Sequence, residues 1–277
     1  MVILNSQWQG SGFNNEIEAG AKQIGNFFSD RLDAEIKLSD KDLKELNGII
    51  GYRPLYHQLR SFNKLVFTNK PQKITTLGGD CGIEVIPVSY LNSLYKKIGI
   101  LWLDAHADLN TPQSSPSKTF HGMPLRLLLG EGDAGFLDLL FSRINTDQIF
   151  YIGLRDIDES EKDYIKEHNI FNALKVNYKE VKKKLDIADL QNIYIHLDLD
   201  VIDPSQFKYT KCPTANGLMT DDVEKFIGQL QRDFNVVGYG VYESVAKDKN
   251  QLMPILSILK TIKMSLTKTE TWNKGLI

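Results

Sequence analysis

Short apolar runs recur along the chain, each finishing in polar or glycine-rich residues: MVILN, KITTLGGD, IGILWLDAH, QIFYIGLRD, NIYIHLDLD and VVGYGVYES. No other feature limits the possible folds as tightly. Between the runs lie stretches with helical spacing, among them residues 164–168, 181–185 and 221–230, the last with Thr220 placed to cap it. Near-continuous apolar strands alternating with helices predict a mostly parallel sheet covered on both faces. No Pro/Gly/Ser-rich linker and no fixed-period repeat divides the 277 residues, so one domain spanning 1–277 is the simplest organisation. Residues 110–120, NTPQSSPSKTF, are the most loop-like internal segment.

Charged residues make up 25% of the chain and the formal net charge is −2. Such a balance gives no global field to attract nucleic acid or an acidic membrane, which points to small molecules or further subunits as partners. The start, MVILNSQWQGSG, has no basic segment followed by a long apolar one, and no later run reaches the roughly 18 apolar residues a membrane span requires. A cytoplasmic protein is expected, with Cys81 and Cys212 as thiols rather than a disulfide framework.

Four of the apolar runs end in an acid: Asp80, Asp104, Asp198 and Glu243. Ligands of open parallel sheets bind outside the carboxyl ends of the strands, so these acids are expected on one rim. In DAHAD, Asp104, His106 and Asp108 alternate, and alternation at a strand end points all three the same way; Asp198 and Asp200 repeat the device in HLDLDVIDP. Carboxylates gathered in this way repel one another unless cations neutralise them. More than one divalent ion is therefore expected. Oxygen-rich ligation with one imidazole suits Mn²⁺ better than a closed zinc site, and two ions about 3.5–4 Å apart would generate a hydroxide nucleophile near neutral pH. A single DxD would more simply decorate a turn, but two such pairs favour the metal reading.

The blocks GGDC, DAHADLNTP, FHGMPL, IGLRDID, HLDLDVIDP and YES, in that order from residue 77 to residue 243, resemble the arginase and ureohydrolase family. Before residue 70 and in the final stretch the likeness is loose. The resemblance implies a three-layer α/β/α fold with a mostly parallel central sheet. It also implies hydrolysis of a linear C–N bond in a guanidino or formimino compound, by hydroxide bound at a binuclear manganese centre, in a homo-oligomer. One ion would be held by Cys81, Asp104, Asp108 and Asp198, the other by Asp104, His106, Asp198 and Asp200. His121 corresponds to a proton shuttle. Glu243 corresponds to the carboxylate that grips the guanidinium, a planar cation best held by two parallel hydrogen bonds. Asn110 and Ser117 fall where arginases bind the substrate α-carboxylate, and Asp158 and Glu161 where they engage the α-amino group, which implies an amino-acid substrate such as arginine. Taken singly, these four read as loop polarity and helix capping.

Several residues depart from the family pattern. Cys81 stands where the family has a histidine ligand. A thiolate beside a dication can bind directly, with a preference for zinc or iron(II); alternatively the thiol packs as a small apolar group and leaves the first site weak. His196 replaces a small hydroxyl residue, and alternation places it on the side of Asp198 and Asp200, as a partner behind the metal ligands. Lys118 occupies a loop position where arginases favour small or amide residues; it would either meet a more acidic substrate or, as loop lysines more commonly do, lie in solvent. His57 and His168 read as solvent or packing residues, Tyr239 and Tyr242 as packing, and Glu84 as a helix first-turn acid. These departures support a rival reading: a catalytically weak or silent relative that binds a small amino acid or serves as a structural subunit.

Overall fold

The computed structural model describes residues 1–13, 15–39 and 43–266. Its centre is an eight-stranded sheet: β1 (Val2–Asn5), β2 (Ala34–Glu35), β3 (Ile74–Gly78), β4 (Gly99–Leu103), β5 (Ile149–Ile152), β6 (Phe171–Ala173), β7 (Asn192–Asp198) and β8 (Asn235–Tyr242), in spatial order β2-β1-β3-β8-β7-β4-β5-β6. Every pairing is parallel. All six apolar runs of the sequence supply strands. The two further strands, β2 and β6, are two and three residues long and form the edges, where short length limits open pairing to other chains.

The helices are α1 (Glu16–Phe27), α2 (Tyr52–Asn69), α3 (Val85–Tyr95), α4 (Pro124–Leu128), α5 (Ala134–Leu137), α6 (Glu159–Glu167), α7 (Tyr178–Ile187), α8 (Thr220–Asp233) and α9 (Leu256–Ser265). They divide between the two faces of the sheet, giving the three-layer α/β/α arrangement. Strand alternation sorts the core accordingly: Ile100 and Trp102 of β4 join the cluster that includes residues of α2 to α6, while Leu101 and Leu103 join the cluster with α1, α7, α8 and α9. One local expectation is corrected. The residue before α8 is Met219, and the hydroxyl of Thr220 bonds Gln206 Oε1 at 2.8 Å instead of capping the helix.

Because all strands run the same way, the carboxyl ends of β3, β8, β7 and β4, four neighbours at the middle of the sheet, open on one rim. Among the described residues no helix is long and apolar enough to cross a membrane. Cys81 and Cys212 are both free thiols.

Candidate metal centre

The acids converge on that rim, but turns rather than strand alternation bring them there. β4 ends at Leu103, and the chain from Asp104 to Asp108 is irregular, with Asp108 in the left-handed region at φ 54°. Asp200 lies in the 3₁₀ turn Leu199–Val201, whose first amides are organised by Asp198: the Asp200 N–H donates to Asp198 Oδ1 at 2.7 Å. Glu243 is also left-handed, at φ 64°, a conformation costly for a residue with a Cβ. It is held there because its N–H donates to Gly79 O at 2.8 Å and its carbonyl accepts from Lys211 N at 2.9 Å. Arg155 pins the far side of the turn, donating to the carbonyls of Asp200, Gly153, Thr214 and Ala215.

Three overlapping donor sets result: Cys81, Asp104, Asp108 and His196; Cys81, Asp198 and Glu243; and Asp104, His106 and Asp200. Within each set the donor atoms lie within 4.8 Å of one another. Asp104 is common to two sets and Cys81 to two. His106 Nδ1 lies 3.0 Å from Asp200 Oδ2 and 3.5 Å from Asp104 Oδ1. The Cys81 thiol donates to Asp198 Oδ2 at 3.2 Å.

Burial, reinforced by neighbouring carboxylates, pushes Asp108 and Asp198 well above the usual carboxylate range and Asp200 up to about 6. Burial alone would raise Asp104 too, but hydrogen bonds from His106 and His196 outweigh it and hold Asp104 below that range. Burial drives the Cys81 thiol up, and Asp198, Asp108, Glu243 and Asp104 add to the effect. A divalent cation among these groups would reverse each of the upward shifts. The residues fit one: Asp108 Oδ2 and Glu243 Oε2 are buried oxygens with no hydrogen-bond partner, in a pocket whose other donors are carboxylate, imidazole and sulfur.

His121, in the turn Phe120–Gly122, places Nδ1 3.4 Å from Glu243 Oε1. Burial lowers its pKa, but the hydrogen bond and charge of Glu243, with Asp80, outweigh this and leave it raised. Asn110 Nδ2 donates to Asp158 Oδ2 at 2.8 Å, which joins two of the substrate candidates. Glu161 uses both oxygens on backbone, accepting from Leu109 N at 2.9 Å and Asp158 N at 3.0 Å. Ser117 is exposed, with its hydroxyl 2.6 Å from Thr119 Oγ1. Asp80 is not among the clustered donors. Its carboxylate accepts from Gln7 Nε2, Gly10 N and Gly82 N and so fixes the glycine turn beneath Cys81. Lys118 is not simply solvated: its Nζ donates to Pro112 O at 2.6 Å and ties the loop to itself. His57 and His168 are exposed and rest against Tyr56 and Tyr164.

Sequence reasoning missed what lies behind the cluster. Glu84, read as a first-turn acid, is fully buried: Oε1 is 3.0 Å from His196 Nδ1, and Oε2 accepts from Tyr194 and Tyr242. Tyr242 is thus more than packing. Burial lowers the His196 pKa, but Asp104 and Glu84, on its two edges, raise it overall. A fully buried acid in a short turn beyond the end of β3 carries no periodic signal; only the unusual His196 could have hinted at it.

The model of the arginase family matches residues 18–251. An arginase of Staphylococcus aureus (strain MRSA252) is 34% identical over 210 residues, covering 71% of this chain and 70% of that protein. A second S. aureus arginase (strain COL) is 39% identical over 190 residues, covering 65% of this chain and 63% of the relative. In fold, the chain is similar to Entamoeba histolytica arginase solved with L-ornithine, at a TM-score of 0.83 and 22% identity over 95% of this chain and 96% of that one. The chain belongs to the arginase family.

Proposed function

We propose that the protein hydrolyses a linear C–N bond of a guanidino or formimino compound, most simply an amino acid such as arginine, at a pair of divalent cations. The observation that carries this reading is the coincidence of two donor sets sharing Asp104 with a carboxylate, Glu243, whose Oε2 is buried and unpartnered at their edge. Asp104, His106 and Asp200 make an oxygen-rich set with one imidazole, which suits manganese, and Asp198 would add a further carboxylate to it. Cations bound here supply Lewis acidity and lower the pKa of water toward neutrality.

The remaining chemistry belongs to the chain. Glu243, fixed at both backbone ends, offers its free oxygen to a guanidinium N–H and sets the plane of the group. His121, protonated more readily than a free histidine, stands 3.4 Å from Glu243 and delivers a proton to the departing amine. Water supplies the hydroxyl added to the guanidino carbon, and its second hydrogen balances the amine released. The Asn110–Asp158 pair and Ser117 face the task of holding an α-carboxylate and α-amino group; the L-ornithine in the E. histolytica arginase is an amino acid of that kind.

The test is elemental analysis of the protein after manganese loading, followed by assays with arginine, agmatine and formiminoglutamate, in the native chain and in Asp198→Ala. The reading requires about two ions per chain and loss of both metal and turnover in the variant. A second reading rests on Cys81, whose buried thiol resists ionisation and already donates to Asp198. It makes the chain a silent relative that binds a small amino acid. Saturable amino-acid binding without metal or turnover would favour it.

A further inference from the structure

Two residues to which the proposed reaction gives no role beyond holding a cation, Cys81 and His196, meet at the centre. His196 is fully buried and in register with Trp102 on β4 and Gly240 on β8. Its ring stacks on Trp102, with centroids 3.5 Å apart and planes 4° from parallel, and faces Tyr242 on the other side at 5.1 Å. Nδ1 sits 3.0 Å from Glu84 Oε1, while Tyr194 and Tyr242 donate to Glu84 Oε2. The backbone is cleared for this support. A Cβ at Gly240 would lie 2.5 Å from Glu84 Oε1 and 2.2 Å from Tyr242 Cε2, and one at Gly78 would lie 2.0 Å from Tyr242 Cε1.

A carboxylate beside Nδ1 orients the imidazole and turns Nε2 to the opposite side, an arrangement typical behind metal-binding histidines. That Nε2 lies 3.6 Å from Cys81 Sγ and 3.6 Å from Asp104 Oδ2. With Asp108, whose Oδ2 has no hydrogen-bond partner, these donors fall within 4.8 Å of one another. At the bond lengths of about 2.0–2.3 Å that zinc takes, donors of a tetrahedral site stand roughly 3.3–3.8 Å apart, so the set would close by contracting by up to about 1.5 Å.

We propose that Cys81, His196, Asp104 and Asp108 form a mixed sulfur, nitrogen and oxygen site that selects a borderline divalent ion of the zinc or iron(II) class over manganese, making the centre heteronuclear. The inference rests on the reading of the rim as a two-cation centre and names the metal class of one position. Binding through sulfur would send the thiol proton, now donated to Asp198 Oδ2, to solvent and leave that oxygen free. Sulfur and imidazole favour such ions, while the set with Asp104, His106 and Asp200 keeps its oxygen-rich character.

The experiment is a titration of the metal-free full-length protein with Co²⁺, read by near-ultraviolet absorption, together with competition between Zn²⁺ and Mn²⁺. The expected result is a thiolate-to-cobalt charge-transfer band at one equivalent in the native chain. That band should be absent in Cys81→Ser, and Glu84→Gln should weaken the site by roughly 10–100-fold, as loss of a carboxylate behind a ligand histidine does. His196→Ala should also reduce the Zn²⁺ preference. Because a substituted chain can fail to fold, X-ray absorption of the zinc-loaded native protein gives an independent answer: one sulfur at about 2.3 Å is required. Two bound cations with no sulfur in the zinc shell and no effect of the variants would overturn the assignment while leaving the metal centre standing. No cation bound at any position would overturn the centre itself.

Discussion

Replacing Tyr242 by Phe deletes one donor to Glu84 Oε2 and keeps the ring that faces His196. Glu84 is fully buried, and the same oxygen still receives the Tyr194 hydroxyl at 3.0 Å. A hydrogen bond to a charged group contributes about 1.5–3 kcal/mol, and the surviving donor places the single variant near the lower end. Tyr194→Phe should behave alike. The double variant differs in kind, because it leaves a buried carboxylate oxygen with neither phenol, and breaking a buried charged network costs about 3–5 kcal/mol. The two substitutions should therefore be non-additive, with a coupling of roughly 1 kcal/mol or more beyond the sum of the singles. The assay is equilibrium urea unfolding by circular dichroism with chelator present, so that metal linkage does not contribute. Thermal midpoints should fall by about 2 °C per kcal/mol for a chain of this size. Additivity to within about 0.3 kcal/mol would refute the shared acceptor, and with it the physical basis for an oriented His196.

Four further outcomes follow from the same contacts. His121→Asn should lower kcat by about 10²–10⁴-fold with metal content retained, and loss of metal instead would remove His121 from proton transfer. Metal affinity should fall in acid: without metal, Asp108, Asp198 and Asp200 hold protons above their ordinary range, Asp200 up to about 6, and cations compete with those protons. The apparent dissociation constant should then rise roughly tenfold or more between pH 7.5 and 5.5, with protons released on binding, and calorimetry in buffers of differing ionisation enthalpy would disprove this if affinity were flat. Gly240→Ala should cost about 1–3 kcal/mol through overpacking against Tyr242 and Glu84; an unchanged melting temperature would mean the space is not tight. Glu161→Gln sets an amide NH₂ against one of two backbone N–H groups and should cost about 1–3 kcal/mol, with faster proteolysis of the loop at 110–120 as the local readout.

The sheet was legible because its signal is periodic. Each apolar run is buried on both faces and bounded by polar or glycine-rich residues, which only a covered parallel sheet explains. The edge strands β2 and β6 escaped because two or three residues carry no period. At the rim, residue types were readable and their geometry was not. Asp104, His106 and Asp108 were expected to converge by strand alternation; they converge where β4 has already ended, with Asp108 in a left-handed conformation and its carbonyl accepting from Leu125 N at 3.1 Å. Asp80 was grouped with the rim acids by its position at a strand end, yet three donors, including the Gln7 side chain and the Gly10 amide some seventy residues away, claim its carboxylate. Long-range partners of that kind leave no mark in local sequence.

The same limit explains why Cys81 and His196 look like two unrelated departures when read along the chain. They are 115 residues apart, and nothing local to either implies the other. In the fold β3 delivers one and β7 the other, with β8 between them contributing Gly240 and Tyr242. An unsupported imidazole among carboxylates would be free to take a proton and pair with any of them. The cost of burying Glu84, two phenols and a stacked indole around one ring is sensible only if the ring must hold a single orientation. A thiol that merely filled space would place no such demand on the strand two positions away. The combination therefore argues that the change at Cys81 altered the donor set and its metal preference rather than deleting a ligand.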